Sequence, residues 1–363
     1  MNPTAFTDHL PGRTVLINGA EYLYFSGTSY LGMACNEAFQ KLLQEGMRRY
    51  GTNYSSSRRS NLQLQVYEQA EEQLTRLTGA EAAVTMSSGF LVGQTLVQAL
   101  SSHGRFLYAP CAHPALWLNS EVAAAANAET CFETWAAQVV ETVQQSHESS
   151  FVIVCNALDP LQAKAYTFDW IEELPSHKNV ILVVDDSHGF GVRGAEGAGI
   201  YQQLSKYKHV ELVIVSSMGK ALGIPAGIIL GPKWLIEQVK ASAYFGGASP
   251  AIPAYLYAYL RAGAIYKEAR KVMQENIELF RQQVRQPYLF QVIPGYPVFS
   301  TKQQSLTAYL EQQRIIISSF CYPTAESAPV TRVILSSLHT AADVQRLTEA
   351  INKFEPEHIP ENV

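Results

Sequence analysis

Lys220 sits in VSSMGKALGIPAG (215–227), directly after an apolar run. A lysine beside a buried strand is costly unless it has a task. Burial lowers its pKa and makes a neutral, nucleophilic amine available. Such an amine forms a Schiff base with an aldehyde. On this segment alone, a lysine that snorkels to the surface remains an equal reading. Ser217 and Lys220 also have the SxxK spacing of serine acyl-enzymes. The SDN and KTG companions of that chemistry are missing from the sequence.

A second cluster lies in NVILVVDDSHGFG (179–191), where an apolar run ends on Asp185, Asp186, Ser187 and His188. An acid at the end of a parallel strand occupies the edge where α/β sheets bind ligands. A carboxylate buried there needs a cationic partner. A protonated pyridine nitrogen is one, and the pairing keeps the ring an effective electron sink. A metal held by Asp185, Asp186 and His188 is the other reading, although no second ligand cluster accompanies it. A third stretch, MSSGF (86–90), joins a strand to a helix N-terminus, whose N–H groups and dipole favour phosphate. By itself such an SSG is often no more than a turn.

The elements that must hold these residues follow from periodicity. FQKLLQEGMRRYG (39–51) and VYEQAEEQLTRLTG (66–79) are predicted helices, the second with Tyr67, Ala70, Leu74 and Leu77 on one face and Gly79 as its stop. AAVTM (82–86) is a predicted strand and FLVGQTLVQAL (90–100) a helix. FVIVCNA (151–157), VILVVDD (180–186), ELVIVSS (211–217) and AGIILGP (226–232) lack polar alternation, as strands buried on both faces of a parallel sheet do. Residues 254–286 read as one long helix, followed by short strands and a last helix at 341–353. The expected organisation is an N-terminal arm (1–31), a large α/β domain (32–253), and a linking helix with a small α+β domain (254–363).

Composition narrows the class. A chain of 363 residues exceeds what one core usually supports. It is 47% hydrophobic and 16% charged, which excludes a disordered chain. With a net charge of −5 and only the pair Arg58-Arg59 as a basic run, no nucleic-acid surface is expected. The cysteines at 35, 111, 131, 155 and 321 form no CxxC, so reduced thiols and a cytoplasmic setting are expected, with no metal site. The N-terminus has no apolar signal region. Residues 210–232 are long enough to span a bilayer, but Glu211, Lys220 and Pro225 interrupt them, so no membrane segment is expected.

An aldehyde-binding lysine, a pyridine-pairing aspartate and a phosphate cradle together describe a site for pyridoxal 5′-phosphate. Their order, phosphate turn, aspartate, lysine, resembles that of fold-type I pyridoxal-phosphate enzymes, and more narrowly the α-oxoamine synthases. The likeness runs from YLYFSGTSYLG (22–32) to TRVILSSLHT (331–340). VDDSHGFGVRGAEGAG (184–199) is its most specific part, close to the family's VDDAHGxGxxGxxGxG. The resemblance implies a mostly parallel seven-stranded sheet between helices and a small C-terminal domain. It also implies roles. Lys220 would hold the cofactor covalently, Asp185 would pair with the pyridine nitrogen, and His188 would lie by the phenolic oxygen and assist proton transfers. His113, in CAHPAL, would stack on the ring. Ser88, Gly89, Phe90 and Ser217 would hold the phosphate, and Gly247 to Ser249 would reach a neighbouring subunit's phosphate in a homodimer with shared sites. Arg332 would bind the substrate carboxylate, with Thr28 and Arg58 beside the substrate.

The sequence departs from the family where substrates are expected. Thr28 replaces the asparagine of SSNDYLGL. GTNYSSSR (51–58) has lost most glycines of GxGxGGxR and kept Arg58. Asn156 and Pro160, in VCNALDPLQAK (154–164), replace a glutamate and a serine. The implied activity is condensation of an amino acid with an acyl thioester, such as an acyl-CoA, with loss of CO₂ to give an α-amino ketone. An aminotransferase and a degenerate binding protein are the alternatives.

Overall fold

The computed structural model describes residues 6–119, 130–322 and 327–357. The chain divides into two compact units. One contains residues 37–159 and 165–265, the other residues 1–36, 160–164 and 266–363.

The larger unit is built on a sheet of six strands among the described residues, one fewer than expected. Their order is Ala82–Met86, Gly227–Gly231, Glu211–Ser217, Asn179–Asp185, Ser150–Asn156, Arg105–Tyr108. The last four run parallel. Gly227–Gly231 is antiparallel to both of its neighbours, so the sheet is mixed. The continuous apolar runs are buried along their length, as in the eBBBBBi pattern of Asn179–Asp185. Val152, Val154, Ile181, Val183, Val213 and Val215 pack with Val92 and Leu96 of the helix Gly89–Ala99 into one core. That burial of aliphatic surface is the main stabilising term for the sheet.

The helices Glu37–Tyr50 and Gln65–Thr78 form where the sequence places them, and Gly79 ends the second in the left-handed region at φ 74°. The predicted long helix is instead two, Pro253–Arg261 and Gly263–Gln283, interrupted at Ala262. Pro253–Arg261 belongs with the larger unit rather than forming a link. It packs on Glu37–Tyr50, where a β-carbon on Gly46 would fall 2.5 Å from the Ala254 carbonyl oxygen.

The smaller unit has a six-stranded sheet ordered Thr14–Ile17, Ala20–Phe25, Ile315–Cys321, Pro329–Ile334, Val298–Thr301, Gln291–Val292. The N-terminal residues are therefore not a separate arm. Their hairpin turns at Asn18 and Gly19, at φ 51° and 78°, and Ala20–Phe25 pairs in parallel with Ile315–Cys321. An Asn-Gly turn matches the twist of its strands because both residues accept positive φ. Among the described residues no helix is long and apolar enough to cross a membrane, and no three His, Cys, Asp or Glu side chains gather as a metal site.

Candidate active site

Three parallel strands end side by side. Asn156 is the register partner of Asp185, and Asp185 of Val215. Polar groups therefore emerge together at the carboxyl edge of the sheet, where such folds bind ligands. The Asp185 carboxylate accepts a hydrogen bond from the Ser187 N–H at 2.8 Å. Lys220 follows the strand Glu211–Ser217 in the return to Gly227–Gly231. Burial holds its ammonium below the usual lysine range, and the Asp185 carboxylate opposes that shift.

His113 lies in the same electrostatic field. Burial lowers its pKa, the Asp185 carboxylate acts against this, and the Lys220 charge adds to it. Its Nδ1 accepts the Ala115 N–H at 3.2 Å and caps the short turn Pro114–Leu116. A ring whose Nδ1 accepts carries its proton on Nε2 when neutral. The loop is fixed from below by Asn156, whose Nδ2 donates to the Cys111 carbonyl at 2.8 Å. Sequence reasoning noted Asn156 only as a replacement. Its place at the end of an apolar run is the sequence signal for this role, and its neighbour Asp185 comes only with the strand register. His188 is half-buried, three residues beyond Asp185 in the turn that follows the strand.

The expected phosphate residues also meet. Ser88 caps the helix Gly89–Ala99, its Oγ accepting the Leu91 N–H at 3.1 Å. Gly89 and Phe90 are in the first turn, where N–H groups have no intrahelical acceptor. Gly89 lies against Ser217, and a β-carbon on Gly227 would fall 2.3 Å from the Ser88 carbonyl oxygen. Ser217 accepts the Gly219 N–H on its Oγ at 3.2 Å and donates its own N–H to Ser187 Oγ at 2.9 Å. The Phe90 ring is 57% exposed. Ser249 is exposed, just after the short helix Ala243–Gly247.

Arg332 and Thr28 belong to the smaller unit. Arg332 is on the strand Pro329–Ile334, 4% exposed, and donates from Nη1 to the Pro160 carbonyl at 2.7 Å. Its Nε is buried without a protein acceptor. Thr28 is half-buried in the loop after Ala20–Phe25.

Arg58 differs from expectation. Its guanidinium is buried and paired with Glu71, with Nη2–Oε2 at 3.4 Å, and lies 4.3 Å from the Tyr67 ring centroid. Glu71 also accepts from Lys240 Nζ at 3.0 Å and from the Thr85 N–H at 2.9 Å. Burial would raise the Glu71 pKa, but the Arg58 charge and its hydrogen bond, with Lys240 and Thr85, bring it below the usual range. The two Arg58 nitrogens that reach Glu71 are thus committed to a core ion pair.

The profile of the family Aminotransferase class I and II matches residues 20–351. The chain belongs to that family. Within it, the chain is similar to the 8-amino-7-oxononanoate synthase of Azoarcus sp. (strain BH72), 25% identical over 94% of this chain and 90% of the relative. The synthase of Aromatoleum aromaticum is 24% identical over 93% and 90%. Among solved structures, Sphingomonas wittichii serine palmitoyltransferase superposes with a TM-score of 0.77 at 15% identity, covering 96% of this chain and 91% of that one. A structure of SPT with PLP gives 0.79 at 14% identity over 96% and 91%. These superpositions establish the aminotransferase-type α/β fold.

Proposed function

We propose that this family member is a pyridoxal-phosphate-dependent acyltransferase. It condenses an amino acid with an acyl thioester, such as an acyl-CoA, and releases CO₂ to leave an α-amino ketone. The observation that carries the reading is the meeting of Lys220, Asp185 and His113 at one sheet edge. The likeness to 8-amino-7-oxononanoate synthases along nearly the whole chain supports the reaction class.

The residues present fit the cofactor. Lys220 would hold it through its amine, and Asp185 would face the ring nitrogen. His113 would lie against the ring, and His188 by its phenolic oxygen. Ser217 and the N–H groups of Gly89 and Phe90, next to Ser88, form a cradle of the kind that holds phosphate. When bound, the cofactor supplies an electron sink for charge developing at the amino acid's α-carbon. Lys220 Nζ, whose charged form burial disfavours, would take the α-proton once the amino acid has displaced it from the cofactor. Asp185, placed at the ring nitrogen, would keep that sink effective. Arg332, with a buried Nε lacking a protein acceptor, receives the substrate carboxylate as a planar donor. By the family resemblance, Thr28 would bind the substrate as well. The same reading makes the protein a cytoplasmic homodimer in which Ser249 serves the partner's phosphate.

A second reading, an aminotransferase acting on a small amino acid, is favoured by one observation. The 51–58 stretch has lost most of its glycines, and its Arg58 is bound to Glu71 in the core. Mixing the holoprotein with a panel of small amino acids and acyl-CoA thioesters separates the two. Free thiol released only when both partners are present is the expected result. Conversion of the cofactor to its pyridoxamine form by an amino acid alone, without thiol, would establish the aminotransferase.

A further inference from the structure

Asp186 follows Asp185 but faces the other way. Asp185 is half-buried at the site, whereas Asp186 is 2% exposed and lines a cavity of about 210 Å³ with Ala157, Arg193, Ile200 and Gln202. Its backbone ties two site elements together. The Asp186 N–H donates to the Val215 carbonyl at 2.9 Å, on the strand that leads to Lys220. Its own carbonyl accepts the Gly189 and Phe190 N–H groups at 3.0 and 2.8 Å, closing the turn that carries His188.

The carboxylate then organises the excursion from 189 to 199. Oδ2 accepts the Ile200 N–H at 2.8 Å. A β-carbon on Gly189 would lie 2.1 Å from Oδ1, and one on Gly199 would lie 2.1 Å from Oδ2. Both glycines are therefore needed to let the backbone close around this one side chain. The excursion in turn abuts the lysine loop, because a β-carbon on Gly191 would fall 2.9 Å from the Ala221 Cβ.

We infer that Asp186 is a positioning residue: its carboxylate seats the glycine-rich excursion and thereby sets the places of His188 and the Lys220 loop. The inference rests on the reading of Lys220 and His188 as site residues. It explains why the VDDSHGFGVRGAEGAG segment needs two acids and glycines at 189 and 199. Only Asp185 answers to the cofactor.

The test uses the full chain, first free of cofactor. The imidazole of His188 is titrated by NMR, with His188→Gln to assign its signal, in wild type, Asp186→Asn and Asp186→Ala. The expected result is that Asp186→Ala retains a cooperative melt but moves the His188 midpoint by about half a pH unit or more. Pyridoxal phosphate is then titrated by visible absorbance, and its apparent Kd rises about tenfold. Asp186→Asn, which keeps an oxygen for the Ile200 N–H, restores both readouts to within about twofold of wild type. If Asp186→Ala does not fold, Gly189→Ala serves, since its new methyl meets Oδ1, and the same shifts are expected. A His188 midpoint and an apparent Kd unchanged in the folded variant would overturn the inference, as would failure of Asp186→Asn to rescue. The His188 titration needs no cofactor, so it can fail while Lys220→Ala still abolishes the visible band, and the converse also holds.

Discussion

Gly89 lies flat against Ser217, with its missing β-carbon only 2.7 Å from the Ser217 Cβ. The first turn of one helix and the end of one strand are thus held at backbone distance. Gly89→Ala must push them apart. The expected outcome is an apparent Kd for pyridoxal phosphate raised about tenfold and a thermal midpoint lowered by a few degrees, because one methyl in a tight site costs on the order of 1–3 kcal/mol. Absorbance titration and a melting curve check this together.

Lys220→Ala removes the amine. The mixture with pyridoxal phosphate is expected to lack the wild-type visible band, and turnover should fall by about a thousandfold or more. A spectrum identical to wild type would take the cofactor away from this lysine.

Asp185→Asn keeps the side chain's shape and its acceptor for the Ser187 N–H. Some cofactor should still bind. Turnover is expected to drop by about a hundredfold, since a neutral amide cannot hold a ring nitrogen protonated. Steady-state rates at saturating cofactor measure this.

Arg58→Met leaves the Glu71 carboxylate buried with Lys240 as its remaining cation. Losing one partner of a buried pair costs about 3–5 kcal/mol. Urea unfolding should show this loss, while the KM for either substrate in the surviving folded protein stays near wild type. A raised KM at unchanged stability would return Arg58 to the substrate site.

Asp186 gives a pH signature in stability. Burial first, and then the Asp185 charge, push its carboxyl up to about 7, against the Ile200 N–H and Arg193. The folded state therefore binds its proton more tightly than the unfolded chain, whose value is about 3.9. The stability that this group contributes is full below about pH 4 and is lost as pH rises towards 7, by an amount on the order of 1–4 kcal/mol. Asp186→Asn should lack this decline in urea titrations at pH 5 and pH 7.

Much of this was legible in the sequence because burial on both faces leaves a plain mark. The strands Ser150–Asn156, Asn179–Asp185 and Glu211–Ser217 fall within one residue of their apolar runs. Lys220 and Asp185 were found through the chemistry their residue types can do and His113 only through the family resemblance, and folding brings the three within one another's electrostatic reach. What was not legible depends on distant partners. Nothing local marks Arg58 as a core residue, since its reason is Glu71 on the helix Gln65–Thr78 that follows its loop. Nothing marks Pro160–Lys164 as part of the smaller unit, where the Pro160 carbonyl takes a hydrogen bond from Arg332. The break at Ala262 lies within a pattern that stays helical on both sides. The N-terminal hairpin is a different case, because Asn18-Gly19 between two apolar runs is a local signal that an arm would not carry.

The placement of Gly227–Gly231 bears on how the protein is born. Among the described residues, Ala82–Met86 joins its sheet only through that strand, and Met86 partners Gly227. Closing so long a stretch of chain is entropically costly and slow. A nascent polypeptide that has emerged from the ribosome only as far as Lys220 carries the reactive amine but no completed cradle for an anion. Synthesis must pass residue 231 before the two can meet. Capture of the cofactor is thereby tied to a chain that has already committed the whole sheet, and truncated products would emerge unable to sequester it.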